Sequence, residues 1–340
     1  MASATIPLLE TDVAVSAEAY RALAGQPRRK EVFSADLSDP KAAFPYLISQ
    51  QTYDVVLRQT APARLVCRVD GREEVTAYYE RATVKDEQDQ PELSIQDSRV
   101  QHRLTLQTDD YGNVLLEALV EYGKPSSQLP DADDQRKQEE TVVSYTEMRY
   151  TNSAESKTYF QSPLSAEVQK YRVFPATAIS GKDRYPWEMI AQDDACFLKE
   201  TVEIPLDADA DEQLKHANTE GYRVLLADDQ RTIYTSTDLL EALPVGVVAE
   251  FSVVDRKYQL VFTSDYLQEV FGDAKPVANM EILTAQFKGG GYVELNGEEG
   301  KWWTQSSRSI FGDDDPSHRL SRLPSSFPAV RWMHMATHQP

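Results

Sequence analysis

Apolar and polar residues alternate along much of the chain, and this period of two predicts β-strands. The alternation is clearest before a turn, where one strand face carries Val100, His102, Leu104 and Leu106. The turn runs from Asp109 through Tyr111 to Gly112 and Asn113, and the last two residue types tolerate the positive φ that tight turns need. Alternation resumes from Val114 to Tyr122, so we predict a β-hairpin.

Similar patterns recur later in the chain. Two alternating segments flank Asp228-Asp229-Gln230, which we interpret as a second hairpin turn. A third hairpin is predicted from Tyr292–Leu295, a turn at 296–300, and Lys301–Gln305. Helical patterns are short, and the first, at residues 11–24, ends before Gly25 and Pro27. We therefore expect a mostly β fold of successive antiparallel hairpins with a few short helices.

The same patterns divide the chain into four parts. We predict a helical lead-in at residues 1–27 and an antiparallel β-sheet module at 28–160. A second β-rich module with short helices follows at 161–312. The last part, 313–340, is rich in Asp, Ser and Pro at its start and reads as an irregular tail.

Charge limits the classes of partner. The 340 residues include 55 Asp and Glu against 35 Lys and Arg, a formal charge of −20, which repels nucleic-acid phosphates and anionic lipid headgroups. No apolar run approaches the ~18 residues of a membrane span. Residues 1–9 lack the basic and apolar regions of a signal peptide, so we expect synthesis in the cytoplasm.

Candidate chemistry is sparse. Cys67 and Cys196 form no CxxC pair, and His334 and His338 have helical metal-clamp spacing but no adjacent acidic ligand. His102 lies on an apolar strand face with no nucleophile in its pattern, so we interpret it as a buried structural histidine. We predict no catalytic residue, no metal site and no cofactor.

Trp302 and Trp303 follow the turn of the third hairpin. Adjacent strand residues point to opposite faces, so one indole can pack on the core while the other packs on a neighbouring module or a sugar. We favour packing, and assign Tyr292, Trp302 and Trp303 to docking of the later sheet. The alternative is a free binding module that uses an exposed tryptophan.

Several segments together resemble the B component of the Tc insecticidal toxin complexes, the TcdB-like family. The most specific is 97–114, which contains the first hairpin turn, and 23–33 and 44–55 are also similar. Tyr78-Tyr79-Glu80-Arg81 and, later, Gly290–Val293 with Lys301–Trp303 fit the family as well. The resemblance covers roughly 23–310 and is patchier after 150; residues 304–308 lack the Pro and Gly of the family motif.

The resemblance implies architecture rather than chemistry. This region of the family lies after a β-propeller and before Rhs (YD) repeats, in a curved β-sheet shell that encloses the toxic effector. We therefore expect a non-catalytic shell segment that meets a Tc-type C component (an Rhs protein) or other subunits. Release from the cell would be as part of the complex, and exposed sheet edges would favour self-association.

Two alternatives remain beside this expectation. One is a stand-alone module that binds a carbohydrate or a host protein. The other is an ADP-ribosyltransferase, for which Thr235-Ser236-Thr237 is present but the Glu-x-Glu turn is not. In the shell interpretation, five residues set the first hairpin: His102, Asp109, Tyr111, Gly112 and Asn113.

Overall fold

The computed structural model describes residues 13–36, 38, 42–59, 65–79, 83–85, 91–93, 98–124, 127, 129–174, 202–204, 223–264 and 280–308. The chain divides into two compact units. The first comprises 1–145, 172–201 and 220–222, and the second comprises 146–171, 202–219 and 223–340. The four domain ranges drawn from the sequence stay a prediction.

The described part of the chain is built mainly of β-strands, which account for about half of its residues. Its helices are α1 (Val13–Ala22), α2 (Ala132–Glu139) and α3 (Met280–Gly289). Its strands are β1 (Arg29–Val32), β2 (Leu47–Gln59), β3 (Val66–Tyr79), β4 (Thr83–Lys85), β5 (Pro91–Leu93), β6 (Ser98–Thr108), β7 (Val114–Tyr122), β8 (Val142–Tyr150), β9 (Ala154–Glu155), β10 (Phe160–Gln161), β11 (Ser165–Phe174), β12 (Val202–Ile204), β13 (Arg223–Tyr234), β14 (Val254–Thr263) and β15 (Lys301–Gln305). The expectation of a mostly β fold with a few short helices is confirmed.

The first unit contains an antiparallel sheet in which β1, β2, β3, β6 and β7 follow one another. The predicted first hairpin is confirmed as β6 and β7. In the register, His102 lies opposite Val75 on one side and Val120 on the other. Alternate residues are buried because strand side chains alternate between faces, and this face forms the core with Leu104 and Ala118.

The second unit places β11, β13, β14 and β15 side by side, with β12 parallel to β13. The third predicted hairpin is confirmed, since Val293 and Trp303 exchange two backbone hydrogen bonds of 3.0 and 2.9 Å. The second is wrong, because Asp228, Asp229 and Gln230 lie inside the continuous strand β13. Within the described residues, no helix is long and apolar enough to cross a membrane.

Candidate functional site

The turn of the β6–β7 hairpin is organised by the carboxylate of Asp109. Its Oδ1 accepts hydrogen bonds from the backbone N–H groups of Tyr111 and Asn113, both at 2.8 Å, and its Oδ2 accepts one from Asn113 Nδ2 at 2.9 Å. Burial raises the pKa of Asp109, but hydrogen bonds from Asn113, Tyr111 and Gly112 outweigh it and hold the pKa below its ordinary value. The ionised aspartate therefore stabilises the turn.

Glycine is needed at position 112 for two reasons, its backbone conformation and the space beside it. Its φ is +90°, in the region that residues with a Cβ rarely adopt. A Cβ built there would lie 3.1 Å from Cδ of Arg68, whose Nη1 donates to the carbonyl oxygens of Asp109 (3.1 Å) and Asp110 (2.6 Å). Arg68 thus holds the turn against β3. Tyr111, at the tip, is half exposed.

His102 lies in the core of the first unit rather than in a cleft. It is 3% exposed, its Nδ1 is 3.2 Å from the hydroxyl of Tyr122, and its Nε2 is 3.9 Å from a carboxylate oxygen of Glu73. These contacts join three neighbouring strands. The hydroxyl beside the ring is the phenol of Tyr122, which the contact with His102 ties to the neighbouring strand.

Trp302 and Trp303 are both buried, at 2% and 0% exposure. Trp302 packs edge-on against Phe287 of α3, with ring centroids 5.0 Å apart. Tyr292 joins the same cluster through Phe262, at 5.2 Å. Trp303 faces the other way and packs with Ile233 and Leu295. The binding-module alternative requires one of these two tryptophans to be exposed, and that expectation is wrong.

A buried charge cluster in the second unit was missed by sequence reasoning. Arg231 lies at its centre: Nη2 is 3.3 Å from Asp229 Oδ2, Nη1 is 2.5 Å from Glu298 Oε1, and Nε is 3.7 Å from Glu167 Oε1. The guanidinium carbon also lies 4.5 Å from the centroid of the Trp303 ring. Asp229 is fully buried and accepts a further hydrogen bond from Gln169 at 2.9 Å.

The electrostatics of this cluster favour the charged forms of Arg231 and Glu298. Burial lowers the pKa of Arg231, but Glu298 and Asp229 outweigh it and raise the pKa. Burial raises the pKa of Glu298, but Arg231 and Lys301 hold it below its ordinary value. Asp229 and Arg231 have opposite charges two residues apart on an alternating strand, and that signal could have identified the cluster.

The described residues hold no group of three or more His, Cys, Asp or Glu side chains placed to bind a metal ion. His334 and His338, weighed above as a metal clamp, lie outside the described residues. Each of the polar clusters described above joins neighbouring strands or closes a turn. The assignment of the eight predicted residues to hairpin formation and docking stays a prediction.

Comparison with protein families gives one match. Residues 18–164 match the family described as "Insecticide toxin TcdB middle/C-terminal region". This range contains the end of α1, the strands β1, β2, β3, β6 and β7, and the Asp109 turn. A comparison with individual curated proteins found no match.

Solved structures extend the likeness to most of the chain. The crystal structure of TcdB2-TccC3 without its hypervariable C-terminal region is 16% identical with a TM-score of 0.62. The match covers 91% of this chain and 13% of the matched chain. The crystal structure of TcdB2-TccC3 is 17% identical with a TM-score of 0.62, and the match covers 91% of this chain and 14% of the matched chain. The Photorhabdus luminescens Tc holotoxin pore with the TccC3-D651A mutation is 17% identical with a TM-score of 0.59, and the match covers 90% of this chain and 13% of the matched chain. At these identities the likeness shows a shared fold, and the chain spans about one seventh of the matched chains.

Proposed function

We propose that the chain is a structural segment of a Tc-type insecticidal toxin complex, because residues 18–164 match the family of the TcdB middle/C-terminal region. In this role it forms part of the β-shell that encloses or delivers the toxic effector. The observation that carries the proposal is the fold shared with TcdB2-TccC3 over 91% of the chain. A likeness of this extent includes both the segment matched by the family and the later strands.

The polar chemistry of the described residues supports a non-catalytic role. His102 is used to join strands, Asp109 to close a turn, and Asp229 and Arg231 to neutralise each other inside the second unit. A general base or nucleophile needs room for a substrate beside it, and these groups are instead engaged with protein atoms. We propose that the chain acts through its surface and its strand edges.

The partner we propose is a Tc-type C component, an Rhs protein of the TccC class that occurs with TcdB2 in the similar structures. The proposed location is extracellular, reached as part of the assembled toxin. The formal charge of −20 favours solubility in a segment that must stay unaggregated before it meets its partner.

Size-exclusion chromatography with light scattering tests the proposal. The purified chain is run alone, with a Tc-type C component, and with an unrelated protein of similar size and charge as the control. We expect the chain to co-elute with the C component and not with the unrelated protein. A chain that stays monomeric in all three runs would refute the shell role and indicate an independent module, for which ligand screening would follow.

A further inference from the structure

The first unit ends its sheet at β1, and within the described residues no strand pairs with the outer side of β1. The carbonyl oxygens of Arg28 and Val32 accept hydrogen bonds from the N–H groups of Gln51 (2.9 Å) and Tyr46 (2.7 Å). Because antiparallel strands direct alternate residues to opposite sides, the backbone groups of Arg29 and Glu31 point to the outer edge. All four residues of β1 are exposed.

The side chains along this edge follow a simple order on one face of the sheet. Lys30 lies opposite Ser49, and Val32 lies opposite Leu47, which in turn lies opposite Tyr78. Arg28 has the same parity as Lys30 and Val32, so the face presents two cations followed by an apolar patch. Val32 and Tyr78 are 38% and 37% exposed.

A groove of about 230 Å³ lies along this face, between the 27–30 segment and the strands β2 and β3. Its floor contains one carboxylate, that of Glu74, which already accepts hydrogen bonds from Ser49 Oγ (2.9 Å) and Gln51 Nε2 (3.1 Å). Arg29 pairs with Glu31. No ion pair involves Arg28 or Lys30 among the described residues, and both side chains are exposed.

We propose that the outer edge of β1 binds an extended acidic segment of a partner protein, which joins the sheet as an additional strand. Backbone hydrogen bonds to Arg29 and Glu31 would supply the pairing, as in other cases of strand addition. Two acidic residues at alternating positions would meet Arg28 and Lys30, and a following apolar residue would cover Val32. The two exposed cations favour this occupant over a second copy, because the same edge of a second copy would place like charges against Arg28 and Lys30.

Charged residues also occur on edge strands simply to prevent pairing, and the experiment separates the two roles. The probe is a fluorescein-labelled peptide, Thr-Glu-Thr-Glu-Thr-Val-Thr, with its reversed sequence to cover both strand directions. Binding to the full chain is measured by fluorescence anisotropy. The matched control replaces both Glu residues with Gln, which keeps the shape and removes the charge.

We expect one of the two acidic peptides to bind about tenfold tighter than its Gln counterpart at low salt, and the difference to shrink as salt is added. The double variant Arg28→Gln/Lys30→Gln should remove the same difference. Absence of binding by both acidic peptides at about 1 mM would mean that the charges only protect the edge, and would overturn the proposal. Equal binding of the Glu and Gln peptides would overturn the acidic specificity.

A second pair of variants tests the backbone pairing. Glu31→Pro removes one outward N–H, whereas Glu31→Thr removes the same charge and keeps that donor. Peptide binding should fall at least about tenfold in the first and persist in the second, with the far-UV circular dichroism unchanged in both. Equal binding by the two variants would place the peptide elsewhere.

Light scattering of the peptide-free chain completes the design. Concentration-dependent dimers that Glu31→Pro abolishes and Glu31→Thr retains would identify a second copy as the occupant and overturn the acidic partner. The peptide assay uses no toxin subunit. Its result is therefore distinguishable from success or failure of the co-elution experiment.

Discussion

Replacement of Arg231 by Met should be among the most destabilising single changes in the second unit. The side chain of Arg231 is 7% exposed, and that of Asp229, 3.3 Å away, is 0% exposed. Methionine fills similar volume without charge, so the main loss is electrostatic. Removal of one partner from a buried ion pair typically costs about 3–5 kcal/mol, because the remaining charge stays desolvated and uncompensated.

The cluster geometry places this substitution toward the upper part of that range. Arg231 is shared by three carboxylates, and loss of its guanidinium leaves the buried Asp229 without a cation, whereas Glu298 keeps Lys301 and Glu167 keeps Arg149. The neutral amide of Gln169 remains on Asp229 but cannot replace a cation. The contact with the Trp303 ring is lost as well, a contribution of about 0.5–2 kcal/mol in comparable cases.

The matched control is Arg149→Met. Arg149 also lies on a strand and pairs with two glutamates, Glu147 at 3.1 Å and Glu167 at 3.2 Å, but its side chain is 61% exposed. Exposed ion pairs contribute about 0–1 kcal/mol each, since water and salt screen them. The free energy of unfolding is obtained from urea titrations followed by tryptophan fluorescence, with the slope compared between variants.

The two arginines differ mainly in burial and in the contact of Arg231 with the Trp303 ring, so the comparison tests how much the buried cation contributes. We expect Arg231→Met to lose at least about 2 kcal/mol more than Arg149→Met, with similar slopes. The double variant Asp229→Asn/Arg231→Met should recover part of the loss, because it removes both charges. Losses within about 1 kcal/mol of each other would refute the reasoning.

Three further predictions concern the first unit. Gly112→Val should lower the free energy of unfolding by about 1–3 kcal/mol because of its φ of +90°, whereas Gly71→Ala, with no atom within 4 Å and no positive φ, should change it by less than about 1 kcal/mol in urea titrations. Gly123→Ala should lower the free energy of unfolding more than Gly112→Val does, since its Cβ would lie 2.0 Å from the Glu139 carbonyl oxygen. Soluble expression with an unchanged melting temperature would contradict this. The lowered pKa of Asp109 means that its stabilisation is full above about pH 3.9 and is lost as the pH falls through the lower folded-state pKa. The stability difference between the unmodified chain and Asp109→Asn should therefore shrink on acidification from pH 6, and a difference independent of pH would contradict the assignment.

Local patterns were sufficient where one strand face is buried and the other is wet. The β6–β7 hairpin is the best example, because His102 and Leu104 alternate with exposed Arg103 and the turn ends in Gly112 and Asn113. A hydrophobic face and a turn that needs positive φ both depend on near neighbours in sequence. Such features can be identified without knowledge of the remaining chain.

The pattern failed where a polar residue is stabilised by distant partners. Asp228-Asp229-Gln230 has the composition of a turn, yet it continues a strand because Arg231 and Gln169 compensate the buried Asp229. Gln169 is 60 residues away from Asp229. No local propensity can report a partner at that separation, so the turn interpretation was the wrong one.

The sequence by itself determined the strand-rich class and the first and third hairpins. Those properties follow from period-two burial and from turn residues, which act over a few positions. Its motifs also carried the likeness to the TcdB middle/C-terminal region. Only the tertiary structure decided that both Trp302 and Trp303 are buried, that Arg68 holds the Asp109 turn, and that β1 leaves an edge beside two cations. Each of these depends on which strands become neighbours, and that choice is set by the packing of the whole sheet.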